Sequence, residues 1–133
     1  MSRFIRYRYI VLATLLITGL MTSNVMAFGG YGDGTSEKPY YISNCDQLQE
    51  MRDDLDGVYK LVRNIDCNGK TYTPVGDDTD PFTGTLNGQG FTIKNLTMSV
   101  GFGNTGIFGT ITGATITNLM IADFLVDGVA FTG

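Results

Sequence analysis

The sequence predicts an all-β fold of stacked short strands, closed at its N-terminal end by one amphipathic helix. Three features carry that reading: an internal repeat, threonine alternating with branched apolar residues between glycine corners, and a helical apolar stripe near Met51. The repeat runs Phe82-Thr-Gly-Thr-Leu86 and Phe91-Thr-Ile93-Lys-Asn95-Leu96, and returns as Phe108-Gly-Thr-Ile111 and Ala114-Thr-Ile116-Thr-Asn118-Leu119. Ile93 and Ile116 are separated by the same stretch of chain as Asn95 and Asn118, and that common displacement is the predicted stacking period. Units that recur in this way cover one another's apolar faces.

Residues 1–27 read as a secretory signal peptide, with Arg3, Arg6 and Arg8 ahead of an apolar run from Ile10 to Met21 and cleavage expected between Ala27 and Phe28. That run falls well short of the roughly 20 residues a spanning helix needs. No membrane span is therefore expected once the signal is removed. Residues 28–38 are glycine-rich without apolar periodicity and read as a flexible lead-in. The domain proper is 39–133, one unit with a single core.

Pro39-Tyr-Tyr-Ile42 reads as a first strand. A helix follows over 44–55, with Ser43 as its cap, Asp46 in the capping-box position and Gly57 as its stop. At the helical spacing Cys45, Leu48, Met51 and Leu55 share one arc, which makes the helix a lid over the first strands. From Val58 to Cys67 the period becomes two, with Tyr59, Leu61, Ile65 and Cys67 on one face. Arg63 breaks the parity and marks a bulge or the strand's end. Asn68-Gly69 and Asn87-Gly88-Gln89-Gly90 supply corners. Between corners, threonine points outward and isoleucine or leucine inward, as half-buried strands prefer.

Charge and cysteine content narrow the function. The signal holds three of the nine basic residues and none of the 13 acidic ones, which leaves the remaining chain near −7. Nucleic acid is excluded as a partner, because it demands clustered Lys and Arg. The two cysteines, Cys45 and Cys67, belong to an exported chain, so a disulfide is expected. Closing such a loop is worth roughly 3 kcal/mol.

This ordered set of residues resembles the GLUG-motif family of bacterial surface and secreted proteins. The motif corresponds to Gly106-Ile107-Phe108-Gly109, with isoleucine for leucine. It is accompanied by Pro39-Tyr40, Tyr59-Lys-Leu61, Asn64-Ile-Asp66, Pro74-Val-Gly76, Phe82-Thr-Gly84 and Ile93-Lys-Asn95-Leu96. The resemblance implies a short right-handed parallel β-helix-like solenoid, in adhesins or in accessory regions of large secreted proteins. It implies no catalytic residue and no cofactor for this chain. Such repeats belong to longer proteins, whereas the apolar stretches Phe124-Leu-Val126 and Val129-Ala-Phe131 carry no closing cap. Two readings follow: a truncated relative, or self-association through the C-terminal coil.

Chemistry-bearing constellations are sparse. The chain has no histidine, so the usual nucleophile–base pairs are missing. Asp77, Asp78 and Asp80 are weak candidates for calcium, set against the plainer reading of a solvated, self-capped loop. The pairs Thr71/Thr73, Thr83/Thr85, Thr110/Thr112 and Thr115/Thr117 are read as exposed strand residues, with an ice-binding array as the competing reading. Tyr31, Tyr40, Tyr41, Tyr59 and Tyr72 are candidates for sugar stacking, although Tyr59 sits on the apolar face. Asn95-Leu-Thr97 forms a sequon, and Asn95 is read as a corner residue. The expectation is an exported, non-enzymatic module at the surface, in the periplasm or secreted, that binds a protein or glycan. The alternative is an accessory or truncated portion of a secreted protease or polysaccharide-active enzyme.

Overall fold

The computed structural model describes residues 27–99 and 105–127. The expected signal peptide, apart from Ala27, and the Val129–Phe131 stretch lie outside them. Among the described residues there are seven strands: β1 Tyr40–Ile42, β2 Val58–Leu61, β3 Ile65–Asp66, β4 Thr85–Asn87, β5 Thr92–Ser99, β6 Thr115–Thr117 and β7 Met120–Asp127. The helical segment comprises α1, Cys45–Gln49, followed by a 3₁₀ turn, Glu50–Asp53. The expected all-β class is observed among the described residues, with a helix shorter than the one expected over 44–55.

The strands form two open sheets, ordered β1-β2-β4-β6 and β3-β5-β7, and every pairing within them is parallel. From β2 onward the chain alternates between the sheets, so from β4 each strand lies beside the strand two places before it. Alternation along each strand decides what is buried: Tyr59, Leu61, Leu86, Ile93, Leu96 and Met98 are sealed from solvent. An aromatic file runs through this core, from Tyr40 to Tyr59 at 5.1 Å, Phe82 at 6.3 Å and Phe108 at 4.9 Å between successive centroids.

The register corrects the stacking period expected from the repeat. Ile93 lies opposite Ile121 instead of Ile116, and Ile116 lies opposite Leu86. Both true displacements are longer than the one that relates Ile93 to Ile116. The two isoleucines aligned by sequence thus belong to different sheets. Asn95 and Asn118 do share a conformation, with φ of 57° and 53°. They are two uses of the same corner, one inside β5 and one between β6 and β7. The residue level with Asn95 in the neighbouring strand is Asp123, which also has positive φ, at 52°.

The helix is shorter than expected and capped one residue later. Asn44, not Ser43, accepts the Gln47 N–H at 2.9 Å, while the Ser43 hydroxyl and N–H both donate to the Gln47 side chain. Its apolar arc is as expected, with Cys45, Leu48 and Met51 buried and Leu55 partly so. The Cys45–Cys67 disulfide, with Cα atoms 5.2 Å apart, ties α1 to the end of β3. The Gln49 carboxamide accepts the Thr73 N–H and donates to the Thr73 carbonyl, both at 2.7 Å, as a neighbouring strand would. Arg63 is exposed beyond the end of β2, which accounts for the broken parity.

The expected flexible lead-in is instead tied down. Tyr31 bridges Tyr41 antiparallel, and its carbonyl accepts the Tyr41 N–H at 2.8 Å. Gly34 accepts the Val58 N–H, and Phe28 packs on Tyr40 with ring centroids 4.6 Å apart. Its glycines are there for close approach: a Cβ on Gly32, at φ 118°, would meet the Pro39 carbonyl oxygen at 2.0 Å. This segment covers the edge of β1, which an isolated edge strand would leave open to foreign pairing.

Candidate functional site

Three surfaces present chemistry: the loop around Asp77, the outward rows of the sheets, and an acidic group beside Tyr40. The first borders an open cleft of about 690 Å³ lined by Arg52, Asp53, Thr73, Pro74 and the loop aspartates. Asp77 accepts the backbone N–H groups of Thr79 and Asp80, both at 2.8 Å. Those bonds, Asp80's first, hold its carboxyl below the usual range. Asp78 accepts the Thr110 hydroxyl at 2.7 Å. Asp77 therefore braces the loop itself, and Asp78 ties it to the segment that holds Thr110. Among the described residues no group of three or more acidic or cysteine side chains is placed to hold a metal ion.

Gly106-Ile107-Phe108-Gly109 is brought against the segment that holds Tyr72, Val75 and Phe82. Phe108 pairs with Val75 and packs on Phe82, while Ile107 is buried and its carbonyl accepts the Tyr72 hydroxyl at 3.1 Å. The Gly109 N–H donates to Val75 O at 2.9 Å, and a Cβ on Gly109 would come within 2.3 Å of Gly76 O. These residues thus form a packing joint with the segment around Val75. The last glycine is needed because two backbones pass too close for a side chain.

On the first sheet the register aligns Tyr41, Lys60, Asn87 and Thr117 in one outward row. Tyr41 stacks on Tyr31 at 5.6 Å, and the Lys38 ammonium lies 5.3 Å from the Tyr31 ring. Tyr40 faces inward between Phe28 and Tyr59, so Tyr41 is the outward member of that pair. Thr85 and Thr115 are neighbours, but Thr117 meets Asn87, so the threonine row is broken after one step. On the second sheet Asp66 accepts from the Asn95 side chain at 2.9 Å, with Lys94 at 3.8 Å. The Asn95 bond is the main reason the Asp66 carboxyl is held below the usual range. Asn95 thereby acts as the corner residue expected of it.

Asp54 was not among the candidates singled out from the sequence. Burial, together with a hydrogen bond to Asp56, raises its carboxyl above the ordinary range, partly offset by a hydrogen bond to Tyr40. The Asp54 carbonyl also accepts the Tyr59 hydroxyl at 2.8 Å. The crowding of acids in Asp53-Asp54-Leu55-Asp56 was the available signal. With a folded pKa above the unfolded one, this group's contribution is fully present below the unfolded pKa. It is lost as pH rises through the raised value, so at neutral pH the Asp54 charge opposes folding. Asp54→Asn is therefore expected to raise Tm at neutral pH and to lose that advantage in acid. Thermal melts of both chains across that range check it, and a gain confined to acid refutes it.

No helix among the described residues is long and apolar enough to cross a membrane. No family model matches the chain, and no solved structure matches it. Two relatives align with most of it. Halomucin of Haloquadratum walsbyi is 35% identical over 112 residues, covering 73% of this chain. A protein of Evansella cellulosilytica carrying the name of a Gly-rich membrane protein is 32% identical over 120 residues, covering 84%. The chain spans only 1% and 14% of these relatives' own lengths.

Proposed function

We propose that the chain is a GLUG-type, right-handed parallel β-solenoid exported to the periplasm, cell surface or exterior, where it binds a protein or glycan through an extended face. The observation that carries this is the alternation of parallel strands between two sheets, at nearly equal steps along the chain from β2 onward. Such repetition sets side chains in straight rows on a rigid face, the usual binding surface of repeat proteins. The row Tyr41, Lys60, Asn87, Thr117 offers an aromatic ring, a cation and hydrogen-bonding groups at strand spacing. That is the mixture a glycan or polar protein surface requires. The two relatives' names, a mucin and a membrane protein, support a place at the cell exterior.

The test is a glycan array together with a panel of surface proteins, probed with the purified, oxidised chain. Binding is expected, and it should fall at least about tenfold in a Tyr41→Ala, Lys60→Ala chain, since aromatic and charged anchors dominate interface energy. Silence on both panels, or binding indifferent to the double substitution, counts against the reading.

A further inference from the structure

Two Asn-Gly pairs mark corners of this chain, Asn68-Gly69 after β3 and Asn87-Gly88 at the end of β4, and the fold treats them in opposite ways. At the second, the Gly88 N–H donates to Thr117 O at 2.8 Å, and a Cβ on Gly88 would come within 2.5 Å of Asn118 O. The Asn87 side chain accepts the Gln89 N–H at 2.9 Å and the Asn118 amide at 3.3 Å. That pair is locked against the neighbouring strand. At the first, Asn68 and Gly69 are both exposed, and a Cβ on Gly69 would meet nothing within 4 Å. The turn is closed by other groups, from the Asn68 N–H to the Asp66 carboxylate and from the Lys70 N–H to Cys67 O, both at 3.0 Å. Neither the Asn68 carboxamide nor the Gly69 N–H has a hydrogen-bond partner among the described residues. The side chains of the remaining described asparagines, Asn44, Asn64, Asn95 and Asn118, are all engaged.

We propose that Asn68-Gly69 is a self-modification site, at which Asn68 deamidates through a cyclic imide while Asn87 is preserved. The Gly69 nitrogen attacks Asn68 Cγ and forms a C–N bond. The Cγ–Nδ2 bond breaks, and Nδ2 leaves as ammonia with the proton that the Gly69 nitrogen gives up. Water then opens the imide at one of its two carbonyls, leaving aspartate or isoaspartate. Glycine suits the step because no side chain shields its nitrogen or narrows its backbone freedom. At Asn87 the same attack must wait until the Gly88–Thr117 bond and the contacts of the Asn87 side chain open. The reactive pair stands at the foot of the lid, where Cys67 is bridged to Cys45 and Lys70 pairs with Asp46 of α1. Conversion adds a carboxylate next to Asp66, and isoaspartate lengthens the backbone inside the turn that Lys70 closes on Cys67. The age of the chain is thereby written where its lid is tied down.

The full, oxidised chain is held for days in mildly alkaline buffer, then reduced, digested and mapped by mass spectrometry. Asn68 is expected to gain the mass difference between amide and acid, with isoaspartate among the products. Conversion at Asn87 should be slower by about tenfold or more, because hydrogen bonds must open there before the nitrogen can attack. A sample unfolded in guanidinium and reduced is the control. In it the two pairs should convert at similar rates, since the contrast belongs to the fold. An unchanged Asn68 overturns the proposal. Conversion of Asn87 at an equal or faster pace in the folded chain, or a contrast of the same size that survives unfolding, overturns it equally.

Discussion

A Phe82→Ala chain is expected to lose about 3 to 5 kcal/mol of unfolding free energy, the range for deleting a fully buried aromatic ring. Phe82 is 0% exposed and sits in the aromatic file between Tyr59 and Phe108. Its backbone N–H donates to Thr110 O and its carbonyl accepts the Thr112 N–H, both at 2.9 Å. Neither bond needs the ring, so the substitution leaves the ladder intact and opens a cavity. Urea unfolding should show a lower midpoint with an unchanged slope. Ile111→Ala is the control: Ile111 is the bridge partner of Phe82, but it is 50% exposed and should cost far less. Equal losses at the two positions would contradict the assignment of Phe82 to the core.

The Cys45→Ala, Cys67→Ala chain is expected to lose on the order of 3 kcal/mol and roughly 15 °C of Tm. Part of this is the loop-closure term for a sequence separation of 22 residues. The rest concerns the lid. Cys45 is 6% and Cys67 0% exposed, and the bond anchors a five-residue helix far too short to persist alone. Without it, Leu48 and Met51 are held over the core by packing and by the Gln49–Thr73 contacts. Thermal melts of the double variant measure the loss more cleanly than reductant, which must first reach buried sulfur. A Tm within a few degrees of the parent would show that the lid holds without its staple.

Much of the local structure was legible along the chain. Tyr59, Leu61, Ile65 and Cys67 are all buried as expected, but the single strand read from Val58 to Cys67 is two: Tyr59 and Leu61 alternate along β2, whereas Ile65 lies in β3 of the other sheet. The helix arc was legible for the same kind of reason, and so was the pairing of two cysteines in an exported chain. The cap was misplaced by one residue because Ser43 and Asn44 are both good caps, and only the approach of Gln47 chooses between them. The lead-in was misread because Phe28-Gly-Gly-Tyr-Gly-Asp-Gly34 is more than half glycine, a composition of flexible linkers. Here the glycines let the backbone pass close to Pro39 and Tyr40. At the candidate site, Asp77 caps its own loop, as local turn chemistry allows, whereas the bond of Asp78 to Thr110 joins residues remote in sequence. Asp54 was hidden because its partial burial, and its bond to Tyr40, arise only when remote parts of the chain meet.

What the sequence determined by itself is which way side chains point, where the backbone turns, and that the fold is β with a lid. These follow from period-two alternation, the steric tolerance of Gly and Asn for positive φ, and helical periodicity, all acting within a few residues. Register was decided only in three dimensions. The strand-and-corner units at Ile93-Lys-Asn95 and Ile116-Thr-Asn118 look like successive layers, yet loops of unequal length carry them into different sheets, where Ile93 meets Ile121 and Ile116 meets Leu86. Pairing depends on where distant segments meet. No local preference encodes that distance.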